Sequence, residues 1–600
     1  MDIAYSKSMV SALIRDKSAE LGSIEAALSY VRACLQTSIA GSSHNGHIHN
    51  VFPRGAARGR GEQLCRCRGM IQEMEPNVSL YNASCEDFFG SAMGGDSVML
   101  EAVVLYVIPV PGNAHFYSVP SNGVENQSNA AGGENPLQHV PSASFDITND
   151  RKTRKRTQCG GREDDGVCAG NGFDCERNPK QWRHEGGGEI KVAVDAPLYQ
   201  QLNLPHPPMS ADLHTACIVT VIQHESAGTG RLKLNDLVDF YGFATDSVET
   251  AIGTDAVQME VDEFEDFGTW HANGLPASFV MHMTCLSWQH VYSEVDRPLS
   301  PDYYGGTRAM ALQALRSTLC QGDALLAEYV LLHLCARVVA HEGGTPIGDI
   351  PLRVEGDIMN PEVWSSYMRD VAPVGEVLLG ATQLSDPSLR LTPRQDHNCN
   401  MLRTGILQLA NGTHITLDSR AVASACAAVQ DALFAAVQKQ VLLLEYPYQA
   451  HELPVDLGFL ALSTAHISEE ISFLQLAVSV RWMPELPLDA AAPTDLVAQD
   501  VRDYLVNVRC VPRRFDSENS SAVARLSERM LSFSRSVPRW NNHDSFIHNN
   551  SFAMAAALMR AHAASYGRPF IADEDVEHVL HLESQRVARC SLDRGPWTSA

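Results

Sequence analysis

Residues Leu319–Val339, LCQGDALLAEYVLLHLCARVV, constrain what this chain can fold into more than any other stretch. A Gly-Asp corner, Gly322-Asp323, opens into a run that is apolar on almost every side. Asp323 has the chemistry of an N-cap, because its carboxylate can accept from the orphan N–H groups of a first helical turn. Leu326, Val330, Leu334 and Val338 fall at helical spacing, with Leu331, Leu332, Cys335 and Val339 on the flanks. A helix that is apolar all round must lie inside a layered domain. The stretch therefore predicts an α/β architecture with this helix near its centre.

A glycine corner leading into a buried helix is also where a P-loop ATPase holds its phosphates. The loop's glycines let backbone N–H groups approach, a lysine supplies charge, and a hydroxyl holds Mg²⁺. On the helicase variant G-D-P-G-x-[AS]-K-S, Gly322 and Asp323 keep the corner and the rest is lost. Leu325 stands where the second glycine belongs, Glu328 replaces the lysine, and Tyr329 replaces the Mg²⁺-binding hydroxyl residue. A charge pair near a surface is worth about 4 kcal/mol at 4 Å, so reversing one sign turns that gain into a similar penalty. Downstream, His414–Asp418 (HITLD) is a short apolar strand ending in an acid at the Walker B position, with Ser419 where the water-polarising glutamate would stand. Asp418 reads more simply as a local cap. No nucleotide, no other cofactor and no catalytic residue is expected.

At 600 residues the chain is too long for one core. Hydrophobic content of 44% and charged content of 20% fit a globular protein. A formal charge of −25 argues against a broad electrostatic grip on nucleic acid. No segment approaches the length of a membrane span, the first residues lack a signal-peptide apolar core, and the cysteines are scattered among apolar positions. An intracellular, soluble protein is expected.

Residues 1–118 read as a β-rich domain with a leading helix at Ser23–Gln36 and strands at Leu64–Glu73 and Val98–Pro109; Gly41–Arg60 reads as a loose insertion. Cys65-x-Cys67 is a lone half-site, more simply structural than zinc-binding. Residues 119–200 have the composition of a disordered linker. Its basic run, Arg151-Lys152-Thr153-Arg154-Lys155-Arg156, is a nuclear-localisation candidate; Cys159, Cys168, Cys175 and His184 beyond it fit no zinc template. Residues 201–300 read as a small OB-like β unit, with a strand at His214–Gln223 and an Asn235-Asp236 turn before another, followed by an acidic loop. Residues 301–500 hold the central α/β core, with helices at Thr307–Leu319 and Ala421–Gln438 and strands at Ile350–Glu355, Thr404–Leu409, His414–Leu417 and Asp456–Ser463. Residues 501–600 end in two helices, Ser551–Ala564 and Asp573–Leu582, read as a helical lid.

Six blocks, Arg66–Gln72 (RCRGMIQ), Leu232–Gly242 (LKLNDLVDFYG), Leu275–Ser287, Gly322–Val338 (GDALLAEYVLLHLCARV) with Thr345–Gly348 (TPIG), Asp396–Asp418 and Glu452–Ser463, stand in a fixed order along the chain. Together they resemble one family, the minichromosome maintenance (MCM) complex-binding proteins. The resemblance implies a degenerate P-loop/AAA+-like three-layer domain in the C-terminal half. It also implies a nuclear protein that partners MCM helicase subunits, touches chromatin indirectly, and is associated with assembly, stability and release of MCM complexes in DNA replication and with sister chromatid cohesion. Two other classes are open to the residues alone. One is an unusual active P-loop ATPase with a cation supplied from elsewhere. The other is a metal-dependent hydrolase built on His224-Glu225, His341-Glu342 or His451-Glu452, although none of these has the second histidine of H-E-x-x-H, so no metal ligand is assigned. Arg513-Arg514-Phe515-Asp516 has the order of an arginine-finger motif but lies too far along the chain.

Overall fold

A computed structural model describes residues 5–41, 48–52, 62–74, 79–84, 88–89, 97–112, 215–222, 232–245, 280–292, 300–356, 360–385, 389–396, 401–446, 449–463, 478–485, 495–513, 527–529, 531–532 and 552–591. The basic run at 151–156, the linker cysteines, the acidic loop and His224-Glu225 lie outside the described residues.

The N-terminal part is a β-barrel with two helices packed on it. Strands β1 (His49–Asn50), β2 (Leu64–Met74), β3 (Ser79–Ser84), β4 (Ser97–Ile108), β5 (Ala216–Ile222), β6 (Leu237–Thr245) and β7 (Val280–His290) form one sheet. Pairing of β2 with both β6 and β4 closes the circuit β2–β6–β7–β5–β4 into five strands, all antiparallel except β5 with β7. Strands expected in two units, before and after the linker, thus share one barrel. Its interior is apolar: Cys65, Cys67, Cys217 and Cys285 lie among Ile71, Val107, Val219 and Phe240. Burial pushes the Cys67 thiol well above its ordinary range, so the C-x-C pair is core packing. Two helices cover one flank. The second, α2 (Ile24–Gly41), buries the expected stripe of Ile24, Leu28, Val31 and Leu35. The first, α1 (Lys7–Leu21), has a weaker stripe and was not anticipated; the Ser6 hydroxyl caps it by accepting from the Met9 N–H.

The C-terminal part has three layers. Its parallel sheet contains β10 (Leu352–Glu355), β11 (Glu376–Leu379), β14 (His414–Asp418), β17 (Gly458–Ser463) and β18 (Val478–Arg481), in the order β11-β14-β17-β10-β18. Alternation along β17 sends Leu460 and Leu462 to one face and Phe459 and Ala461 to the other. The first face carries α3 (Pro301–Thr318), α4 (Ala324–Cys335), α5 (Pro361–Val371), α9 (Asp495–Arg509), α10 (Phe552–Ser565) and α11 (Asp573–Ser591). The second carries α7 (Ser419–Ser424) and α8 (Ala427–Lys439). The hairpin β8 (Ala340–Glu342) and β9 (Thr345–Ile347), the helix α6 (Ala381–Leu384), and the sheet of β12 (Arg394–Asp396), β13 (Met401–Arg403), β15 (Val441–Glu445) and β16 (Ala450–Pro454) lie around this core. Barrel and core meet through hydrogen bonds: Leu402 N–H donates to Glu73 Oε1 at 3.0 Å, and Gln408 Nε2 donates to the Gln72 carbonyl at 2.8 Å.

Several element boundaries differ from the sequence reading, among them the helix read at Thr307–Leu319, which starts at Pro301, and the last helix, which runs on to Ser591. The central helix stops at Cys335 instead of running to Val339, because Val338 N–H turns to Asp456 Oδ1 and Val339 N–H to the Ile347 carbonyl. Thr404–Leu409 is a buried turn and not a strand; its apolar run reflects burial of Leu407 and Leu409, while Ile406 and Leu407 donate to Arg390 and Leu391 carbonyls. Ala421–Gln438 is two helices, parted at Ala425 and Cys426, both with extended backbone.

Candidate functional site

All residues from Leu325 to Cys335 are buried, as the apolar run requires. The corner before them is sharply bent, with φ of 50° at Gln321 and 94° at Gly322, the latter a conformation glycine adopts without steric cost. Unlike a P-loop, this corner joins helix α3 to helix α4, where a P-loop joins a strand to a helix. The assignment of Gly322, Asp323, Leu325, Glu328 and Tyr329 to a Walker A position is corrected on that ground. The turn that does follow the first strand of the parallel sheet begins at Gly356 and leads through Asn360 into α5; residues 357–359 are outside the described part. Its sequence, Gly356 to Val363, holds no lysine or arginine and places Glu362 in the first turn of α5. An acid in that turn, and the Asn360 side chain accepting from Glu362 and Val363 N–H groups, already satisfy the helix end.

The N-terminus of α4 is satisfied by the chain's own charges. Asp323, 1% exposed, accepts from Leu326 N–H at 3.0 Å, from Met483 N–H at 2.9 Å and from Arg589 of α11 at 2.6 Å. A carboxylate therefore takes the place an anion would seek at the helix N-terminus, and an arginine neutralises it. Arg316 donates to the Gly322 carbonyl at 2.7 Å, and Trp482 Nε1 donates to the Cys320 carbonyl at 3.1 Å, which fixes the corner against the end of β18. One turn on, Glu328 is 5% exposed and pairs with Arg308 of α3 and with His578 Nε2 of α11 at 3.1 Å. Burial would raise the Glu328 carboxyl, but the His578 hydrogen bond and the Arg308 charge outweigh it and hold the group below its ordinary value. Tyr329 and Leu325 are buried beside it.

Asp418 caps α7 by accepting from Arg420 N–H at 3.0 Å, and Ser419 is buried next to it. Strand β14, which ends in Asp418, lies three positions from β18, or about 14 Å at the usual strand spacing. Ligands of one Mg²⁺ ion can be no more than about 4 Å apart, so the corner and Asp418 cannot share a metal. The structure does not bring the degenerate Walker A and Walker B positions read from the sequence together.

Residues 91–590 match the model of the family described as mini-chromosome maintenance replisome factor. The chain belongs to this family. Among relatives, a mini-chromosome maintenance complex-binding protein of Arabidopsis thaliana is 22% identical, covering 88% of this chain and 87% of its own. The Danio rerio protein of the same name is 26% identical over 54% of this chain and 53% of its own, so the chain spans about half the length of that relative. A full-length MCM homolog from Methanopyrus kandleri overlays with a TM-score of 0.40 at 15% identity, covering 62% of this chain and 72% of that one.

In this replisome-factor family member the remaining sequence candidates that are described make contacts within the chain. Arg513, first residue of the arginine-finger lookalike, is buried and donates to the Cys335 carbonyl at the end of α4; the three residues after it are not among those described. His341 Nε2 contacts the Gln440 carbonyl at 3.1 Å, and the His451 ring packs on Tyr446. The residues that sequence reasoning missed are Arg308, His578 and Arg589, the partners of Glu328 and Asp323. Arg308 stands 20 positions before Glu328, and the other two follow their partners by 250 and 266 positions. No motif links them; the one available signal is that a buried acid requires a cation.

Proposed function

We propose that this chain is a non-catalytic binding protein of the MCM helicase complex. The observation that carries the reading is its family, whose relatives carry the name complex-binding protein. The N-terminus of α4, already capped by Asp323 and neutralised by Arg589, together with a turn after the first strand whose sequence lacks any cation, supports a partner that acts by shape and not by nucleotide hydrolysis. Two features of the fold favour descent from a helicase-like subunit. The five-stranded barrel is of the OB kind, and the parallel sheet between two helical layers suits a degenerate AAA+-like core. On this reading the protein works in the nucleus, with the basic run at 151–156 as its import signal, and associates with chromatin through MCM subunits. It regulates assembly, stability or release of the complex during replication, and thereby cohesion. Its strong negative charge suits a protein partner better than DNA. Affinity capture of the tagged chain from nuclear extract, followed by identification of bound proteins, tests this: MCM subunits should be enriched, and their absence would end the reading.

A further inference from the structure

Among the described residues, Glu328, His562 and His578 form a group in which one ligand atom of each lies within 4.8 Å of the others. His562 in α10 is 4% exposed, and its Nδ1 lies 2.6 Å from Asp575 Oδ1. That bond leaves Nε2 buried without a hydrogen-bond partner, while the ring stacks on His578 with centroids 4.0 Å apart. A buried imidazole nitrogen with an open lone pair, oriented by a carboxylate behind it, is the arrangement found around metal-ligating histidines. His578, one-third exposed, already meets Glu328 and opens the group to solvent.

We propose a divalent-cation site, zinc by its donor set, held by Glu328, His562 and His578 with solvent in the fourth position. Two nitrogens and one carboxylate oxygen suit Zn²⁺, and ligand distances near 2 Å require the three atoms, now within 4.8 Å of one another, to draw together by about 1 Å. Asp575, steadied by Arg568, orients His562 from behind. Arg308, on Glu328, orients that carboxylate but opposes the cation's charge. The ion would tie the centre of α4 to both C-terminal helices at once, which fixes a role in holding these elements together.

The test uses the full chain stripped by chelator, titrated with Zn²⁺ against a chromogenic competitor, and with Co²⁺ as a visible-absorption probe. One equivalent should bind, and zinc should raise the thermal midpoint. His578→Gln, at the exposed edge, should fold as judged by circular dichroism and lose at least 100-fold in affinity, together with the cobalt spectrum and the midpoint shift. Asp575→Asn should weaken binding by about 10–100-fold. An unmodified chain that takes up no stoichiometric metal, or a His578→Gln chain that binds equally well, would overturn the proposal.

Discussion

Replacing Arg308 by methionine isolates the charge arrangement at the centre of the molecule. Arg308 and Glu328 are each 5% exposed, and Arg308 also donates to Ser565 Oγ at 2.9 Å. Breaking a buried pair by removing one partner typically costs about 3–5 kcal/mol, because the survivor is left charged and dry. Glu328 keeps its bond from His578, so a loss near 3 kcal/mol at pH 7 is expected. Adding Glu328→Leu to Arg308→Met removes both charges and should recover most of that loss, since apolar replacements of buried pairs are often neutral. A double-mutant cycle should therefore give a coupling of about 3 kcal/mol. The pH dependence has a fixed sign. The folded-state pKa of Glu328 is depressed, so the pair's contribution is present above the unfolded value of 4.5 and is lost as pH falls through the lower folded value. The gap between native protein and Arg308→Met should narrow below pH 4.5. Urea unfolding at pH 4 and pH 7 measures both quantities; a coupling below about 1 kcal/mol, or a gap that does not narrow, would refute the reasoning.

Arg589→Ala should cost about 2 kcal/mol in urea unfolding, because Asp323 keeps two backbone donors but loses its counter-charge. Gly242→Ala should cost about 3 kcal/mol, because a Cβ at this irregular point of β6 would press into the Thr284 carbonyl; a neutral result would mean that the barrel strands can part there. Burial raises the Glu73 and Glu376 carboxyls to about 7 from 4.5, so both hold a proton in the folded state that the unfolded chain has released. Stability should fall as pH rises from 4.5 to 7, by up to about 3 kcal/mol per group, and Glu376→Gln should flatten its share of that slope in denaturant titrations.

The parts of the fold legible in the sequence are those set by local pattern. The buried helix, its Asp323 cap, the Asn235 turn with its positive φ, and the strands at 64–74, 216–222, 352–355, 414–418 and 458–463 follow from periodicity and turn chemistry. What escaped depends on distant partners. The end of α4 is set by acceptors at Ile347, across a hairpin, and at Asp456, 118 residues beyond Val338. The barrel could not be assembled because β4 and β5, adjacent in the sheet, are separated by more than a hundred residues. The corner at Gly322 was misread for a related reason: glycine followed by an apolar helix looks the same whether a strand or a helix precedes it, and only the parallel sheet reveals which strand comes first.

On the proposed function, this chain recognises the MCM complex with no nucleotide of its own. Its most direct test is the dissociation constant for purified full-length chain and purified MCM subunits, measured with ATP, with ADP and without nucleotide. A complex should form in all three conditions, with affinity unchanged by nucleotide once the effect of ATP on the MCM subunits alone is subtracted. Failure to form any complex, or a complex that requires ATP bound to this chain, would contradict it.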